Sequence, residues 1–288
     1  MNKTQIHGLI FSSLSLSLAL GYLMGVDLTI ENSLYFLVAL IFFLGIPHGA
    51  LDPVFAKKMF NIESWKSWAT FAASYLVVSL SIISLWWIQP LLFMTLFLAM
   101  STHHFSRDLP ASTHWIARTL YGGSVIVLST VFHKTEVLDI FCLITGPQIG
   151  LKTVNALHLI STPWLLALAA TLICELARDW MVGLEIISVA VLALFTPPLV
   201  AFTVYFCLMH SLRHVIRSQT FANLSYCQLS LYAFAPMLGT FILAALAWNV
   251  LPSDQDQDQA RVLRFLFVGL ASLTAPHMLL IDRVKYTE

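Results

Sequence analysis

Histidine is concentrated in four short patches of this chain: Pro47-His48-Gly49-Ala50-Leu51-Asp52, Thr102-His103-His104-Phe105, His210-Ser211-Leu212-Arg213-His214 and Pro276-His277. Each patch lies in an otherwise apolar run. An imidazole in hydrocarbon is costly and as a rule faces a bundle interior or a cavity. Several of them in one apolar chain point first to a metal site. His210 and His214 are four residues apart, so on an α-helix both project from one face, a spacing that suits two imidazoles on one ion. Pro47 and Gly49 loosen the backbone on either side of His48. Asp52 and Asp108 each follow a histidine, His48 and His104, by four residues. A carboxylate so placed can accept the second ring N–H of a ligating imidazole and fix its tautomer. His103 and His104 are adjacent and point about 100° apart on a helix, so one of the two is the candidate ligand. His277 reads as a ligand, a hydrogen-bonding neighbour of the ligands, or a core histidine. Together with His103, Asp52 and Asp108 it makes the outer set of candidates.

The elements that must position these residues are membrane helices. Of 288 residues, 58% are hydrophobic and 10% charged, against about 25% charged in a soluble protein. The expected fold is all-α, a polytopic transmembrane bundle of eight to ten spans in a single domain over residues 1–288. Apolar runs fall at 7–26, 34–51, 68–88, 91–106, 118–133, 160–177, 180–196, 199–217, 228–250 and 261–281, near the roughly 17–25 residues that a span requires. The first run has no A-x-A cleavage site and reads as a membrane helix, not a removed leader. With ten spans and an inner N-terminus, eleven Lys and Arg fall inside and four outside, as the positive-inside rule requires. Residues 134–155 read as a re-entrant or surface segment, and the Asp254–Asp258 tract as an outer loop. Gln89-Pro90 and Thr196-Pro197-Pro198 read as tight turns.

On this topology His48, His104, His210, His214 and His277 all lie on helices running inward. Each is roughly 11–16 residues, or about 16–24 Å, from its outer end. The five therefore share one depth. Arg213 is expected to snorkel to the headgroups. The other histidines (His7, His114, His133, His158) and the aromatics read as interface and packing residues. The four cysteines have no CxxC spacing and read as small buried hydrophobes. Zero net charge excludes a nucleic-acid footprint. Neutral imidazoles suit Zn, Cu, Fe and Ni. An open position on Fe(II) would activate O2, and a substrate reaching such a site would be a lipid.

The motifs PHGALD, HHF, HSLRH and TAPHMLLID, in that order, resemble the Brp/Blh family of integral-membrane β-carotene 15,15′-dioxygenases. The resemblance runs over nearly the whole chain. It implies an Fe(2+) site held by His48, His104, His210 and His214, O2 as co-substrate, and β-carotene or a related carotenoid cleaved to retinal at the inner (plasma) membrane. His104 is favoured over His103 because it precedes Phe105, although Ser106 stands where many members carry glycine. Three other readings compete. A di-iron lipid desaturase or hydroxylase would share HxxxH but needs HxxHH boxes, which are absent. A bis-His haem protein would show a Soret band. A proton-coupled transporter would use intramembrane His and Asp, and a rhodopsin would need a lysine within its last helix, where Lys285 lies beyond the span.

Overall fold

The computed structural model describes residues 1–26, 34–250 and 258–284; the side chains of His48, Asn249 and Val250, the acidic tract from Asp254 to Gln257 and Lys285 lie outside the described residues. Those described residues form eleven helices and no strand: α1 Lys3–Leu23, α2 Leu34–Phe60, α3 Trp65–Ile88, α4 Pro90–Ser106, α5 Trp115–Phe132, α6 Lys134–Thr145, α7 Pro147–Arg178, α8 Trp180–Phe195, α9 Pro198–Ala222, α10 Tyr226–Val250 and α11 Asp258–Ile281. Eight of them are long and apolar enough to cross a membrane, and α4 and α8 are shorter apolar helices. The chain is a helical membrane protein. The turns expected at Gln89-Pro90 and at Thr196 to Pro198 are present, because proline opens a helix readily but cannot continue one. Residues 134–155 form α6 and, after Gly146, the first turns of the long helix α7.

Burial sorts the helices. Of α3 only Ser79 is buried, whereas 67% of the most apolar stretches of α9 and α11 is. Helices that present leucine, phenylalanine and tryptophan outward suit acyl chains, and the well-buried α9 and α11 carry His210, His214 and His277. α4 packs on α5, α5 on α7, α8 on α1, and α11 on α3 and α6. A shared core runs through Phe105, Tyr121, Ile186, Val189, Tyr205 and Leu266. α1 comes so close to α8 at Gly8 that a Cβ there would strike the Glu185 carboxylate.

Two of the histidine helices depart from α geometry. α2 widens to a π-helix over Ile41–Gly45 and tightens to a 3-10 helix over Ile46–Leu51 before resuming at Asp52. Pro47 and Pro53 supply no backbone N–H to a regular ladder here. In α9 a π-helix spans Tyr205–Ser211. Such turns cluster at functional sites, and at membrane depth their loose carbonyls must be satisfied by protein. They are: Ser211 Oγ donates to Gly45 O at 3.1 Å, and His7 Nε2 sits 2.7 Å from Leu208 O. α2 and α9 both end on a left-handed asparagine, Asn61 and Asn223.

Candidate active site

Three helices bring four of the five deep histidines together. His104 comes from the last turn of α4, His210 and His214 from α9, and His277 from α11. The ring centroids of His104 and His210 are 4.4 Å apart, those of His104 and His277 5.2 Å, and those of His214 and His277 5.2 Å. The imidazoles therefore stand in the order His210, His104, His277, His214. All four residues are buried, as are their Nε2 atoms. His48 lies in the 3-10 turn of α2, whose backbone packs on α9, α10 and α11; its side chain is outside the described residues. Among the described residues no three His, Cys, Asp or Glu already form a metal cage.

Two of the rings are gripped from behind by the same arrangement. Asp108 receives His210 Nδ1 at 3.0 Å and the Tyr205 hydroxyl at 2.6 Å. Asp52 receives His277 Nδ1 at 2.6 Å and the Tyr75 hydroxyl at 3.0 Å. A neutral imidazole that donates Nδ1–H to such a carboxylate has its lone pair on Nε2. The sequence spacing pairs Asp52 with His48 and Asp108 with His104 on one helix; the structure pairs them across helices, with His277 and His210. Asp108 lies just past the end of α4 and Asp52 where α2 leaves its 3-10 turn, and each carboxylate meets a ring from a neighbouring helix. Tyr75 and Tyr205 were not singled out in the sequence, because a tyrosine in an apolar run looks like packing.

His103 is corrected. It points away from the other rings, its side chain is 61% exposed, and it stands 3.6 Å from Asp282. It is not a neighbour of the cluster, as the 100° step from His104 demands. Arg213 is corrected as well. It does not snorkel but is 1% exposed, with Nη1 and Nη2 on the Glu185 carboxylate at 2.8 and 2.6 Å, and Nη1 also on Asp108 O at 2.9 Å. Glu185 on α8 is the partner that sequence spacing could not supply. A buried charge requires such a partner, and an unexplained glutamate in an apolar run was the available signal. The cysteines are also not uniformly buried: Cys207 is, Cys142 is intermediate, and Cys174 and Cys227 are exposed. Of the remaining histidines, His7 is buried against Leu208, His114 caps α5, and His133 and His158 bond Glu136 and Thr130 O.

Two recesses lie beside these helices. A polar one is lined by His104, Asp108, His210, His214, Arg107 and Arg217. An apolar one is lined by Leu98, Phe105, Val125, Phe141, Phe202 and Phe267, among others. Phe105 joins them: it walls the apolar cleft, and its ring lies 5.0 Å from that of His210. Phe206 stacks on the other side of His210 at 5.8 Å. A long apolar molecule in the cleft would thus end one ring away from the imidazoles.

No solved structure matches this chain. It is 30% identical over 262 residues to the β-carotene 15,15′-dioxygenase of uncultured marine bacterium 66A03, covering 85% of this chain and 91% of that protein. A family model described as beta-carotene 15,15′-dioxygenase matches residues 39–285, a stretch that holds all four histidine patches. The chain belongs to the β-carotene 15,15′-dioxygenase family.

Proposed function

We propose that the protein is an iron-dependent dioxygenase that splits the central 15,15′ double bond of β-carotene with O2 to give two molecules of retinal, in the bacterial inner membrane. The observation that supports this most is the row of buried imidazoles backed by carboxylates and set one ring from an apolar cleft. The family and the bacterial relative's name supply the carotenoid.

The donor set fits a divalent transition metal. It is all-imidazole and thiolate-free, which suits iron among others. The two Nδ1-to-aspartate bonds are what metal-bound histidines characteristically make. Charge argues the same way. Among the described residues Asp52 is held by the Tyr75 hydroxyl and His277, neither a fixed cation, and a buried carboxylate needs a counter-charge. In this reading His48, His104, His210 and His214 hold the iron. Bound iron would supply O2 activation.

The chain's own residues do the rest. Asp108 and Tyr205 fix the tautomer and angle of His210. Phe105 and Phe206 wall it with rings and keep water off a reactive polyene. The cleft sets which double bond is presented, because a conjugated chain offers many similar ones and positioning alone separates them.

The test is expression in bacteria that accumulate β-carotene, with and without His214→Ala, scoring colour and retinal by chromatography. Bleaching with retinal that requires His214 is the expected result. Persistent orange with well-expressed protein would reject β-carotene as substrate.

A further inference from the structure

The two Tyr–Asp–His arrangements are alike in chemistry and opposed in position. Tyr205, Asp108 and His210 approach the row of rings from one end. Tyr75, Asp52 and His277 approach it further along. The first belongs to a histidine already assigned to the metal by the family resemblance. The second belongs to His277, which neither the HxxxH pair nor the first two motifs include.

The geometry points to His277 as a further metal-holding imidazole, with Asp52 and Tyr75 as its positioning residues. This rests on the iron reading above. Three observations carry it. First, His277 is central. Among the described side chains its ring is the one that lies against both His104 and His214, each at 5.2 Å, and so it links α4 to α9 within the cluster. Any ion held by His104 and His214 lies beside it. Second, His277 is presented. Its Nδ1 lies 2.6 Å from Asp52, and a neutral ring that donates Nδ1–H there has its lone pair on Nε2. Third, it is braced from two sides. The Tyr75 hydroxyl is 3.0 Å from Asp52 and 3.2 Å from Leu273 O, four residues before His277 on the same helix. Tyr75 comes from α3, which packs on α11. Ordering of that kind suits a ligand, since a metal holds its imidazoles only at one angle.

A packing role for His277 would require none of this. An apolar residue in that position would fill the same space without a buried aspartate, and burying a carboxylate costs free energy unless something returns it.

The experiment uses full-length protein in detergent, loaded anaerobically with Fe(II). Wild type, His277→Ala, His277→Gln, Asp52→Ala, Tyr75→Phe and His210→Ala are compared. Iron per chain and Fe(II) affinity are measured. The nitric oxide adduct of 15N-histidine-labelled protein is then examined by pulsed EPR to count coupled imidazoles. Losing a hydrogen-bonding partner of a ligand typically weakens metal affinity about 10–100-fold. Losing His277 should exceed that, by more than about 100-fold, and should remove one imidazole coupling. Asp52→Ala and Tyr75→Phe should stay within about 10–100-fold and keep the full count. The glutamine variant guards against a folding failure of the alanine one, and monodispersity is checked for each. A His277 variant that binds iron within about 100-fold of wild type, with the imidazole count unchanged, would overturn the assignment while His210→Ala still loses its iron. A wild type that takes up no Fe(II) would instead overturn the iron reading and this inference with it.

Discussion

Removing the Glu185 carboxylate tests how α8 and α9 are locked behind the histidines. Arg213 lies between His210 and His214 and is 1% exposed. Its guanidinium makes two bonds to Glu185, at 2.6 and 2.8 Å, and one to Asp108 O at 2.9 Å. Glu185→Leu keeps the volume roughly constant but strands a buried cation. Breaking one partner out of such a pair costs about 3–5 kcal/mol. At about 1.4 kcal/mol per decade this shifts the unfolding equilibrium about 100- to 4000-fold. The double variant Glu185→Leu/Arg213→Met removes both charges and should recover most of the loss, because apolar replacement of a buried ion pair is often neutral. A residue of about 1 kcal/mol should remain, for the Asp108 carbonyl loses one donor while Arg217 Nη2 stays on it at 3.1 Å. The assay is reversible unfolding in mixed micelles with rising SDS, followed by tryptophan fluorescence. A single variant costing under about 1 kcal/mol, or a double variant as unstable as the sum of its parts, would refute the reasoning.

Three further outcomes are expected. Tyr205→Phe deletes the 2.6 Å donor to Asp108; stability should fall by about 1.5–3 kcal/mol and Fe(II) affinity about 10–100-fold, read by unfolding and by metal titration. Leu98→Trp adds bulk to the partly open apolar cleft; retinal formation in β-carotene-accumulating cells should fall at least about tenfold while iron per chain stays at the wild-type value, separating substrate access from the metal. His103→Ala removes an exposed ring beside Asp282; iron content and retinal yield should stay at wild-type level, with stability within about 0.5 kcal/mol, and a loss of iron would return His103 to the site.

The composition and the apolar runs determined that the chain is a bundle of membrane helices, because a chain with so few charges and such long hydrophobic stretches has no other way to satisfy its backbone in lipid. The charge count led to the expectation of one shared depth for His104, His210, His214 and His277, and the structure brings those four rings into contact. The motifs were enough to point to the family. Sequence distance could not decide which side chains pair across helices. Asp52 and Asp108 look like partners of the histidines four residues before them, yet their described ring partners are His277 and His210, because a carboxylate also answers to whichever helix packs against it. Arg213 has the pattern of an interface residue, but the fold sets Glu185 opposite it, and a guanidinium whose two Nη groups meet a carboxylate can stay inside. Tyr75 and Tyr205 carry no local signal, since a hydroxyl in an apolar run gains meaning only from the acceptor brought to it. The π-helical turns of α2 and α9 arise the same way. Glycine and proline loosen α2 there, while the π-helical turn of α9 contains neither; Ser211 and His7, each reaching from a neighbouring helix, supply bonds that satisfy the turns in a membrane.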